Sequence, residues 1–389
     1  APGIAFSQAE NAASQKAAKA KKALPLLLRG PYLQVATSNS IIIRWRTDTY
    51  DRSREWYGSS PADLSHIADD STLVTEHIVR LSGLQPETRY YYAIGDLKDT
   101  LQRSPGNYFY ALPEPGDTGL YRIGVFGDMG NNSINQRNVR DQFIKYLGDR
   151  YMNAWVLVGD NAYSDGTDAE FQAKFFNIYD DNLLRKYPLF PSPGNHDYHD
   201  IESAGAADQN KIAYYQSFSV PSEGEAGGVP SHTASYYSYD IGNIHFLALD
   251  SYGKDSKGLR FYDAGSEQME WIKKDLEANK GKEWIIAYWH HPPYTMGSHN
   301  SDKSSDLVKI REVVAPVMEQ YGVDLVLCGH SHDYERSRLM KGHFGLEATF
   351  DSSKYDISSS SGLYDGSKNS APYIKDSKTN KGTVYVVTG

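Results

Sequence analysis

Two histidines, His330 and His332, stand two residues apart just after a short apolar run. The run, residues 323–328, has the branched and leucine content of a buried strand, and it ends at Gly329. In an extended segment the side chains at i and i+2 point to the same side, about 7 Å apart along the chain. Two metal ions about 3.5 to 4 Å apart could therefore take one imidazole each. By themselves, the two histidines are equally typical of an ordinary polar loop.

Four more predicted strands end in a similar way, with a carboxylate, an amide or an imidazole soon after the apolar residues. The motifs are Gly-Asp-Met-Gly after 121–126, Gly-Asp-Asn-Ala-Tyr after 154–158, Gly-Asn-His-Asp after 189–192 and His-His-Pro-Pro-Tyr after 284–289. In open α/β sheets, ligands gather beyond the carboxyl ends of the strands, and glycine lets the backbone approach closely. One Gly-Asp pair carries almost no information, whereas five such ends in one chain indicate a common site.

The composition sets limits on the class of protein. The chain of 389 residues has a formal net charge of -9, with 40% hydrophobic and 23% charged residues, which suits a globular protein of two domains. The acidic balance argues against nucleic acid as a partner, so an anionic substrate would need a local positive centre such as a metal. No apolar run approaches the roughly 20 residues of a membrane helix. The single cysteine, Cys328, excludes an intrachain disulfide and is expected to act as a small buried hydrophobe.

The N-terminal part predicts a tail followed by an all-β domain. Residues 1–23 are rich in Ala, Lys and Gln and predict a tail with no function of its own. Its start at Ala1 fits a processed chain, which is compatible with a secreted, periplasmic or cell-surface protein. Residues 24–115 predict a β-sandwich. Within it, residues 81–90 resemble the tyrosine corner of a fibronectin type III domain, and Trp45 resembles its core tryptophan.

After a linker at 113–119, strands and helices alternate, and residues 116–389 predict an α/β domain. The predicted strands are 121–126, 154–158, 189–192, 236–239, 244–249, 284–289, 323–328 and 382–389, and the predicted helices are 135–147, 171–184, 267–276 and 307–321. Residues 350–381 are polar and aperiodic and predict a surface insertion. The chain stops at a predicted strand, which suggests that the natural chain continues past Gly389.

The four motifs Gly-Asp-Met-Gly, Gly-Asp-Asn-Ala-Tyr, Gly-Asn-His-Asp and His-His-Pro-Pro-Tyr, together with Gly-His-Ser-His-Asp-Tyr-Glu-Arg at 329–336, resemble those of the metallophosphoesterase superfamily, specifically the purple acid phosphatases. The Tyr in Gly-Asp-Asn-Ala-Tyr and the His-Asp-Tyr-Glu-Arg ending carry the resemblance to that family, which covers about residues 24–389. It implies a four-layer α/β/β/α sandwich preceded by a fibronectin III-like sandwich. It also implies a ferric ion paired with a divalent ion, which would be zinc, iron or manganese.

The resemblance also implies a ligand set. The ferric ligands would be Asp128, Asp160, Tyr163 and His332, and the divalent ligands would be Asp160 as a bridge, Asn195, His290 and His330. Hard carboxylate and phenolate oxygens suit a trivalent ion, whereas imidazole and amide oxygen suit a divalent one, which supports this division independently. A tyrosinate on ferric iron would give a visible purple band.

Two further histidines, His196 and His299, resemble the substrate-side histidines of the family. They could bind a phosphate oxygen or protonate the leaving alkoxide. His291 is interpreted as a residue behind the ligands or at the surface. The remaining histidines match no motif position and are predicted to be structural or superficial: His66, His77, His199, His232, His245 and His343. Asp197 stands where plant members usually have glutamate, a small change that should leave Asn195 in place.

The leading hypothesis is an acid phosphatase that hydrolyses small phosphate monoesters by in-line attack of a metal-bound hydroxide. The same site could instead serve phosphodiesters or nucleotides, since that choice depends on the pocket walls. A hypothesis of another class is a cell-surface binding protein in which the fibronectin-like module acts and the phosphatase domain is degenerate. The binding-protein hypothesis is disfavoured because every predicted ligand position carries a residue that can bind a metal ion.

Overall fold

The computed structural model describes residues 24–203, 211–363, 367, 370–375 and 381–389. The predicted tail 1–23 and parts of the predicted insertion 350–381 lie outside the described residues. Two β-sheets face each other, and helices cover their outer faces, with an N-terminal β-sandwich continuing the first sheet.

The N-terminal sandwich is built from five strands: β1 Leu27–Gln34, β2 Ser40–Gly58, β3 His66–Ser82, β4 Arg89–Gly95 and β5 Thr100–Tyr110. The long strand β2 pairs with β1 and β3 in its first half and with β3 and β4 in its second half. A shift in the β2–β3 register between Arg46 and Asp51 separates the two halves. One strand therefore contributes to both ends of the sandwich.

The two predicted landmarks of the sandwich have the expected contacts. The backbone N–H of Gln85 donates a hydrogen bond to the Tyr90 hydroxyl at 2.9 Å, as a tyrosine corner requires. Trp45 is 1% exposed and stacks on His77 with ring centroids 4.8 Å apart. The narrower assignment to the fibronectin type III class, and the division into domains at residue 115, stay predictions.

The first sheet continues from the sandwich through β1, where Gln34 lies opposite Leu189 in a parallel pair. Its further strands are β6 Ile123–Phe126, β7 Ala154–Val158 and β8 Leu189–Ser192. The strand order is β5-β4-β2-β1-β8-β7-β6, with β3 paired to β2. Strands β6, β7 and β8 are mutually parallel, so their carboxyl ends lie at one edge.

The second sheet has the order β13-β14-β12-β11-β10-β9. Its strands are β9 Tyr237–Ile241, β10 Ile244–Ala248, β11 Trp284–Tyr288, β12 Leu325–Cys328, β13 Tyr334–Arg336 and β14 Val384–Thr388. The hairpin predicted across residues 242–243 is present, with Ile241 opposite Ile244. Strands β10, β11, β12 and β14 are parallel.

Helices flank both sheets. They are α1 Ile134–Leu147, α2 over 168–184, α3 His199–Ser203, α4 Ala213–Ser217, α5 Glu267–Asn279, α6 over 305–320 and α7 Ser352–Tyr355. Ser133 caps the N-terminus of α1, and its side chain accepts from the N–H of Gln136. Ser266 caps α5 in the same way. Both α2 and α6 contain π-helical turns, and α2 starts earlier than its apolar pattern predicts because Thr167 and Glu170 form a capping box.

Successive side chains of the central strands point to opposite faces of their sheet, and this alternation produces the layers of the fold. In β7, Trp155 and Leu157 pack into the apolar cluster that includes residues of α1 and α2, whereas Val156 and Val158 pack into the cluster between the sheets. In the second sheet, residues of β10, β11 and β12 divide in the same way between the cluster shared with α5 and α6 and the cluster between the sheets. The predicted α/β/β/α architecture with an N-terminal β-sandwich is therefore confirmed.

Some predicted boundaries are wrong. The strand predicted to begin at Val323 begins at Leu325, because the N–H of Val323 donates to Met318 O and still belongs to the turn that ends α6. The described part of 350–381 is also less irregular than predicted. It includes the short helix α7, and Ile357 N donates to Leu339 O at 3.0 Å.

The buried His245 of β10 lies between two carboxylates. Its Nδ1 is 2.8 Å from Asp240 Oδ1, and its Nε2 is 2.7 Å from Asp275 Oδ2. Burial lowers the pKa of His245, but the hydrogen bonds and charges of the two carboxylates outweigh burial and raise its pKa above the usual value. A histidine whose folded pKa is raised stabilises the fold below the unfolded pKa, and this contribution is lost as pH rises through the folded pKa.

We therefore predict that, as pH rises above the ordinary histidine pKa of about 6.5, the free energy of unfolding decreases more steeply in the wild type than in His245→Gln. At about pH 6 the substitution should cost about 3 kcal/mol, because it leaves a buried carboxylate without its cation. Urea unfolding at constant ionic strength measures both quantities. The control is His232→Gln, since His232 is exposed, and equal slopes in the wild type and His245→Gln would contradict the charged pairing.

Candidate metal centre

The carboxyl ends of strands from both sheets meet at one point. Asp128, Asp160 and Asn195 follow β6, β7 and β8 of the first sheet, and His290 and His330 follow β11 and β12 of the second. Among the described residues, ligand atoms of Asp128, Asp160 and His290 lie within 4.8 Å of one another, which is close enough for one metal ion. The junction of the two sheets therefore creates a candidate metal centre.

Three of these residues have an unusual backbone. Asp128, Asp160 and His330 have φ values of 52°, 52° and 68°. The left-handed region costs a residue with a Cβ about 1 kcal/mol or more, and such strain concentrates at functional sites. Each of the three directly follows a glycine at the end of its strand, where the chain turns sharply. The chain accepts this strain at the three points where a polar side chain must turn into the junction.

Glycines let the backbone pack against the ligand side chains. A Cβ on Gly194 would lie 2.3 Å from Asp160 Oδ1, and a Cβ on Gly159 would lie 2.6 Å from the His290 ring. These contacts are shorter than any real Cβ contact, so no larger residue fits without a shift. The two side chains are consequently held by main-chain surfaces rather than by flexible neighbours.

On one side of the junction, Asp128 contacts the phenol of Tyr163 and lies near the imidazole of His332. Its Oδ1 accepts from the Tyr163 hydroxyl at 2.9 Å and lies 3.4 Å from His332 Nε2. The Tyr163 hydroxyl is 3.2 Å from the same His332 nitrogen. Burial and the carboxylates of Asp128 and Asp160 raise the pKa of Tyr163 far above its usual value. A cation bound here would reverse that effect and favour the phenolate.

On the other side, His290 and His330 converge. His290 Nε2 lies 3.3 Å from His330 Nδ1 and 3.2 Å from Asp160 Oδ2. His290 Nδ1 is 2.9 Å from the carbonyl oxygen of Val158, which fixes its tautomer and leaves Nε2 as the ligand atom. Asp160 also contacts the Tyr163 hydroxyl, so it lies between the two sides.

The electrostatics of the junction favour positive charge. Burial lowers the pKa of His290, but Asp160 and Asp128 outweigh burial and raise it to about 9. Burial and the neighbouring His290 and His299 lower the pKa of His330 to about 2. The carboxylates thus require a positive charge between them, and this is the position that a cation would take.

Asn195 supplies the most direct sign of a missing ligand. Its Oδ1 is buried and has no hydrogen-bond partner in the part of the chain that the structure describes. A buried amide oxygen without a partner is unfavourable by about 1–3 kcal/mol, and a cation would satisfy it. The donor set therefore fits a pair of cations, with Asp128, Tyr163 and His332 on one side, Asn195, His290 and His330 on the other, and Asp160 shared.

The two predicted substrate-side histidines both lie beside this centre. The backbone N–H of His196 donates to Asp160 Oδ1 at 2.8 Å, and its Nδ1 is 2.6 Å from the carbonyl oxygen of Ser164. His299, which the sequence places only loosely, stacks on His330 with ring centroids 3.9 Å apart. Burial and the neighbouring histidines lower the pKa of His299. Contacts thus link eight of the nine predicted site residues, and the ninth, Asn195, directly precedes His196, whose N–H donates to Asp160.

Three further residues support the centre. His291, interpreted as a residue behind the ligands or at the surface, is 5% exposed, and its ring centroid is 4.2 Å from that of His330. Ser251 Oγ lies 2.9 Å from His291 Nδ1. His199, predicted to be structural or superficial, shares the Ser164 carbonyl with His196 at 3.2 Å. Ser251 shortly follows β10, so strand-end reasoning extended to one more strand would have found it.

Asp197 links two of the strand-end turns. It accepts from the N–H of Gly194 at 2.8 Å and from the N–H and side-chain amide of Asn161 at 3.1 and 3.0 Å. Burial and the Asp160 carboxylate raise the pKa of Asp197 to about 7. The aspartate side chain, although shorter than a glutamate, therefore still links the turn of Asn195 to the turn of Asp160 through hydrogen bonds.

The model of the calcineurin-like phosphoesterases matches residues 121–334, more than half of the chain. The chain therefore belongs to the calcineurin-like phosphoesterases. A second model, the N-terminal domain of purple acid phosphatases, matches residues 29–110, and within the class the chain is placed among the purple acid phosphatases.

Curated relatives agree with this placement. Purple acid phosphatase 15 of Arabidopsis thaliana is 30% identical over 285 residues, which cover 67% of this chain and 49% of that protein. An uncharacterized protein of Mycobacterium tuberculosis is 26% identical over 343 residues, covering 80% of this chain and 62% of that protein. The chain spans between 49% and 65% of the length of the first three curated relatives that it matches.

Two solved structures share the fold. The purple acid phosphatase PPD1 from yellow lupin seeds matches with a TM-score of 0.66 and 20% identity, covering 93% of this chain and 65% of that one. PhoD matches with a TM-score of 0.63 and 14% identity, covering 95% of this chain and 78% of that one. Within the described ranges, every helix is too short or too polar to cross a bilayer.

The packing of Gly194 generates a prediction for metal binding. In Gly194→Ala the new methyl group must displace the Asp160 carboxylate, so we expect affinity for Zn²⁺ to fall at least about tenfold. Gly281→Ala is the matched control, because a Cβ there meets nothing within 4 Å. Calorimetric titration and elemental analysis measure the change. Unaltered affinity in a folded Gly194→Ala protein would show that this contact does not position Asp160.

Proposed function

We propose that the protein is a dinuclear-metal acid phosphatase that hydrolyses small phosphate monoesters. The observation that carries the proposal is the cluster of Asp128, Asp160 and His290, whose ligand atoms lie within 4.8 Å of one another, and the buried, unpartnered Asn195 oxygen supports it. Family membership supports a dinuclear metal phosphoesterase. A secreted, periplasmic or cell-surface location belongs to the proposal and is supported by the family alone.

The ligands divide by hardness. We assign Asp128, Tyr163 and His332 to a ferric ion and Asn195, His290 and His330 to a divalent ion, with Asp160 shared. Two carboxylates and a phenolate would offset three of the five positive charges, and the remainder would attract a phosphate dianion. Zinc, iron and manganese are the candidates for the divalent ion.

Bound cations would supply a water of lowered pKa as the nucleophile and positive charge for the phosphoryl oxygens. The chain itself supplies proton donors at the rim. The Ser164 carbonyl holds Nδ1 of His196, so Nε2, which lies 3.9 Å from Asp160 Oδ2, is the nitrogen that would donate, in the protonated ring, to a phosphoryl oxygen or to the leaving oxygen. His299 on the opposite side is the second candidate donor, and its ring is held against that of His330.

Asp160→Asn and His332→Ala should each reduce hydrolysis of p-nitrophenyl phosphate by at least about a thousandfold, because the first removes the carboxylate shared by both ions and the second removes a ligand of one ion. Exposed His232→Ala is the control. Elemental analysis and a visible spectrum of the same preparations report the metals and the phenolate. Full activity in a metal-loaded Asp160→Asn protein would contradict the mechanism.

The same assay separates the alternatives. Faster hydrolysis of bis(p-nitrophenyl) phosphate than of the monoester would indicate a phosphodiesterase. A wild-type protein that binds no transition metal and turns over neither ester would favour the non-catalytic binding protein.

Proton donation by His196 predicts a dependence on the leaving group. His196→Ala should slow an alkyl phosphate such as glycerol 2-phosphate about a hundredfold, because an alkoxide needs a proton to leave. It should slow p-nitrophenyl phosphate only about tenfold, because nitrophenolate leaves without one. Steady-state kinetics on both esters check this, with the exposed His232→Ala as the control. Equal losses on the two esters would assign His196 to binding rather than to proton transfer.

A further inference from the structure

A short loop lies between the end of β7 and the start of α2, and we call its residues 163–167 the Tyr163 loop. The carbonyl oxygen of Ser164 in this loop lies 2.6 Å from His196 Nδ1 and 3.2 Å from His199 Nδ1. A carbonyl oxygen only accepts hydrogen bonds, so both imidazoles donate to it through Nδ1. The orientation of the His196 ring therefore depends on where the loop holds the Ser164 carbonyl.

Apolar packing contributes little to holding the middle of the Tyr163 loop, because Ser164 and Asp165 are both exposed. Exposed segments with few packed side chains open easily unless hydrogen bonds fix them. Glu170 of α2 supplies such bonds. Its Oε1 accepts from the N–H of Ser164 at 2.7 Å, and its Oε2 accepts from the N–H groups of Asp165 and Thr167 at 3.0 and 3.2 Å.

The bonds of Glu170 exceed what the start of a helix requires. In a capping box the glutamate accepts only from the N–H of the N-cap residue, which here is Thr167. The bonds from Ser164 and Asp165 lie outside that motif and connect Glu170 to the loop ahead of the helix. Glu170 therefore holds the Tyr163 loop in addition to capping α2.

Lys174, one turn further along α2, completes the arrangement. Its Nζ lies 2.9 Å from Glu170 Oε1 and also donates to the carbonyl oxygen of Tyr163. The carbonyl of Tyr163 and the N–H of Ser164 belong to one peptide group, so a single ion pair binds both polar atoms of that group. The side chains of Lys174 and Glu170 are 27% and 18% exposed, so water screens this pair less than an ion pair on the open surface.

The Tyr163 loop also lies directly against the chain at His196. A Cβ on Gly166 would lie 2.6 Å from the carbonyl oxygen of His196. The ring centroid of Tyr163 lies 4.5 Å from that of His196. A shift of the loop would therefore reach His196 through these contacts as well as through the Ser164 carbonyl.

We propose that the ion pair of Glu170 and Lys174 positions the imidazole of His196 by holding the peptide group between Tyr163 and Ser164. Both are positioning residues, since they act through the Ser164 carbonyl. This oxygen keeps the proton of the neutral His196 ring on Nδ1 and sets the direction of Nε2. The consequence for kinetics rests on the proposed function, whereas the state of the ring does not.

The His196 ring can be observed in the full chain stripped of metal, so the result does not depend on catalysis. In mildly alkaline solution, ¹⁵N spectra of histidine-labelled protein should show the proton of the neutral ring on Nδ1, with the signals assigned by their loss in His196→Ala. Glu170→Gln keeps the side-chain length but removes the negative charge and one acceptor. It should move the ring toward the Nε2-protonated form that an unrestrained imidazole prefers.

Glu270→Gln is the control for this spectrum, because it removes an exposed ion pair with Lys273 at the start of α5. The His196 signals should be the same in this control as in the wild type. An unchanged His196 tautomer in a folded Glu170→Gln protein would overturn the proposal. A wild-type ring protonated on Nε2 would also overturn it.

Kinetics test the consequence for proton transfer. Glu170→Gln should slow hydrolysis of glycerol 2-phosphate about tenfold and that of p-nitrophenyl phosphate less than about threefold, because only the alkyl ester needs a proton on its leaving oxygen. Lys174→Met should show the same pattern, and Lys174→Arg, which keeps a cation able to donate, should retain most of the wild-type activity. A purely structural role would instead lower the unfolding temperature and slow both esters equally, which would refute the proposal.

The two measurements also separate this positioning role from the proposed function. A metal-loaded wild type that hydrolyses neither ester would refute the proposed function, and the His196 spectra would then decide the positioning role by themselves. If Glu170→Gln does not fold, Lys174→Met and Lys174→Arg take its place in both measurements. A His196 tautomer and an ester ratio that are the same in Lys174→Met as in the wild type would then refute the proposal.

Discussion

Two buried carboxylates that share one small space impose the main constraint on this molecule. Asp128 and Asp160 are both buried, although water would solvate them far better. Part of their charge is met by backbone N–H groups, since the N–H of His330 donates to Asp128 and the N–H of His196 donates to Asp160. The remaining negative charge of the two carboxylates favours positive charge nearby. The surrounding imidazoles and the unpartnered Asn195 oxygen are groups that suit bound cations.

The fold meets this constraint by bringing together strand ends from two separate sheets. Three parallel strands of the first sheet and two of the second end at the junction, so residues distant in sequence meet on rigid elements. Glycine before each strained residue lets the chain turn at once. Behind these turns, Asp197 accepts from the N–H of Gly194, and His291, whose Nδ1 contacts Ser251 Oγ, packs its ring against that of His330.

The sequence predicts the strand ends well because the chemistry is local: a short apolar run, then glycine, then a ligand. The layers follow from the same alternation, and the tyrosine corner follows from a local motif. The features that the sequence could not predict depend on contacts between residues that are distant along the chain. His291 belongs to the His-His-Pro-Pro-Tyr motif and His199 closely follows Gly-Asn-His-Asp, but their contacts at the site are with Ser251 and with the Ser164 carbonyl.

The parallel pairing of Gln34 with Leu189 has a consequence for how the chain can be divided. Strand β8 leads directly to the turn of Asn195, and its outer border is covered by β1 of the N-terminal sandwich. Arg29 of β1 is buried against α2 and α4, where it donates to Asp168 and Ser217. The N-terminal sandwich therefore covers an edge of the sheet at β8 that would otherwise be open. It also covers the polar side chains of α2 and α4 that Arg29 contacts. A fragment that lacks β1 would expose unpaired backbone groups of β8 beside the turn that carries Asn195.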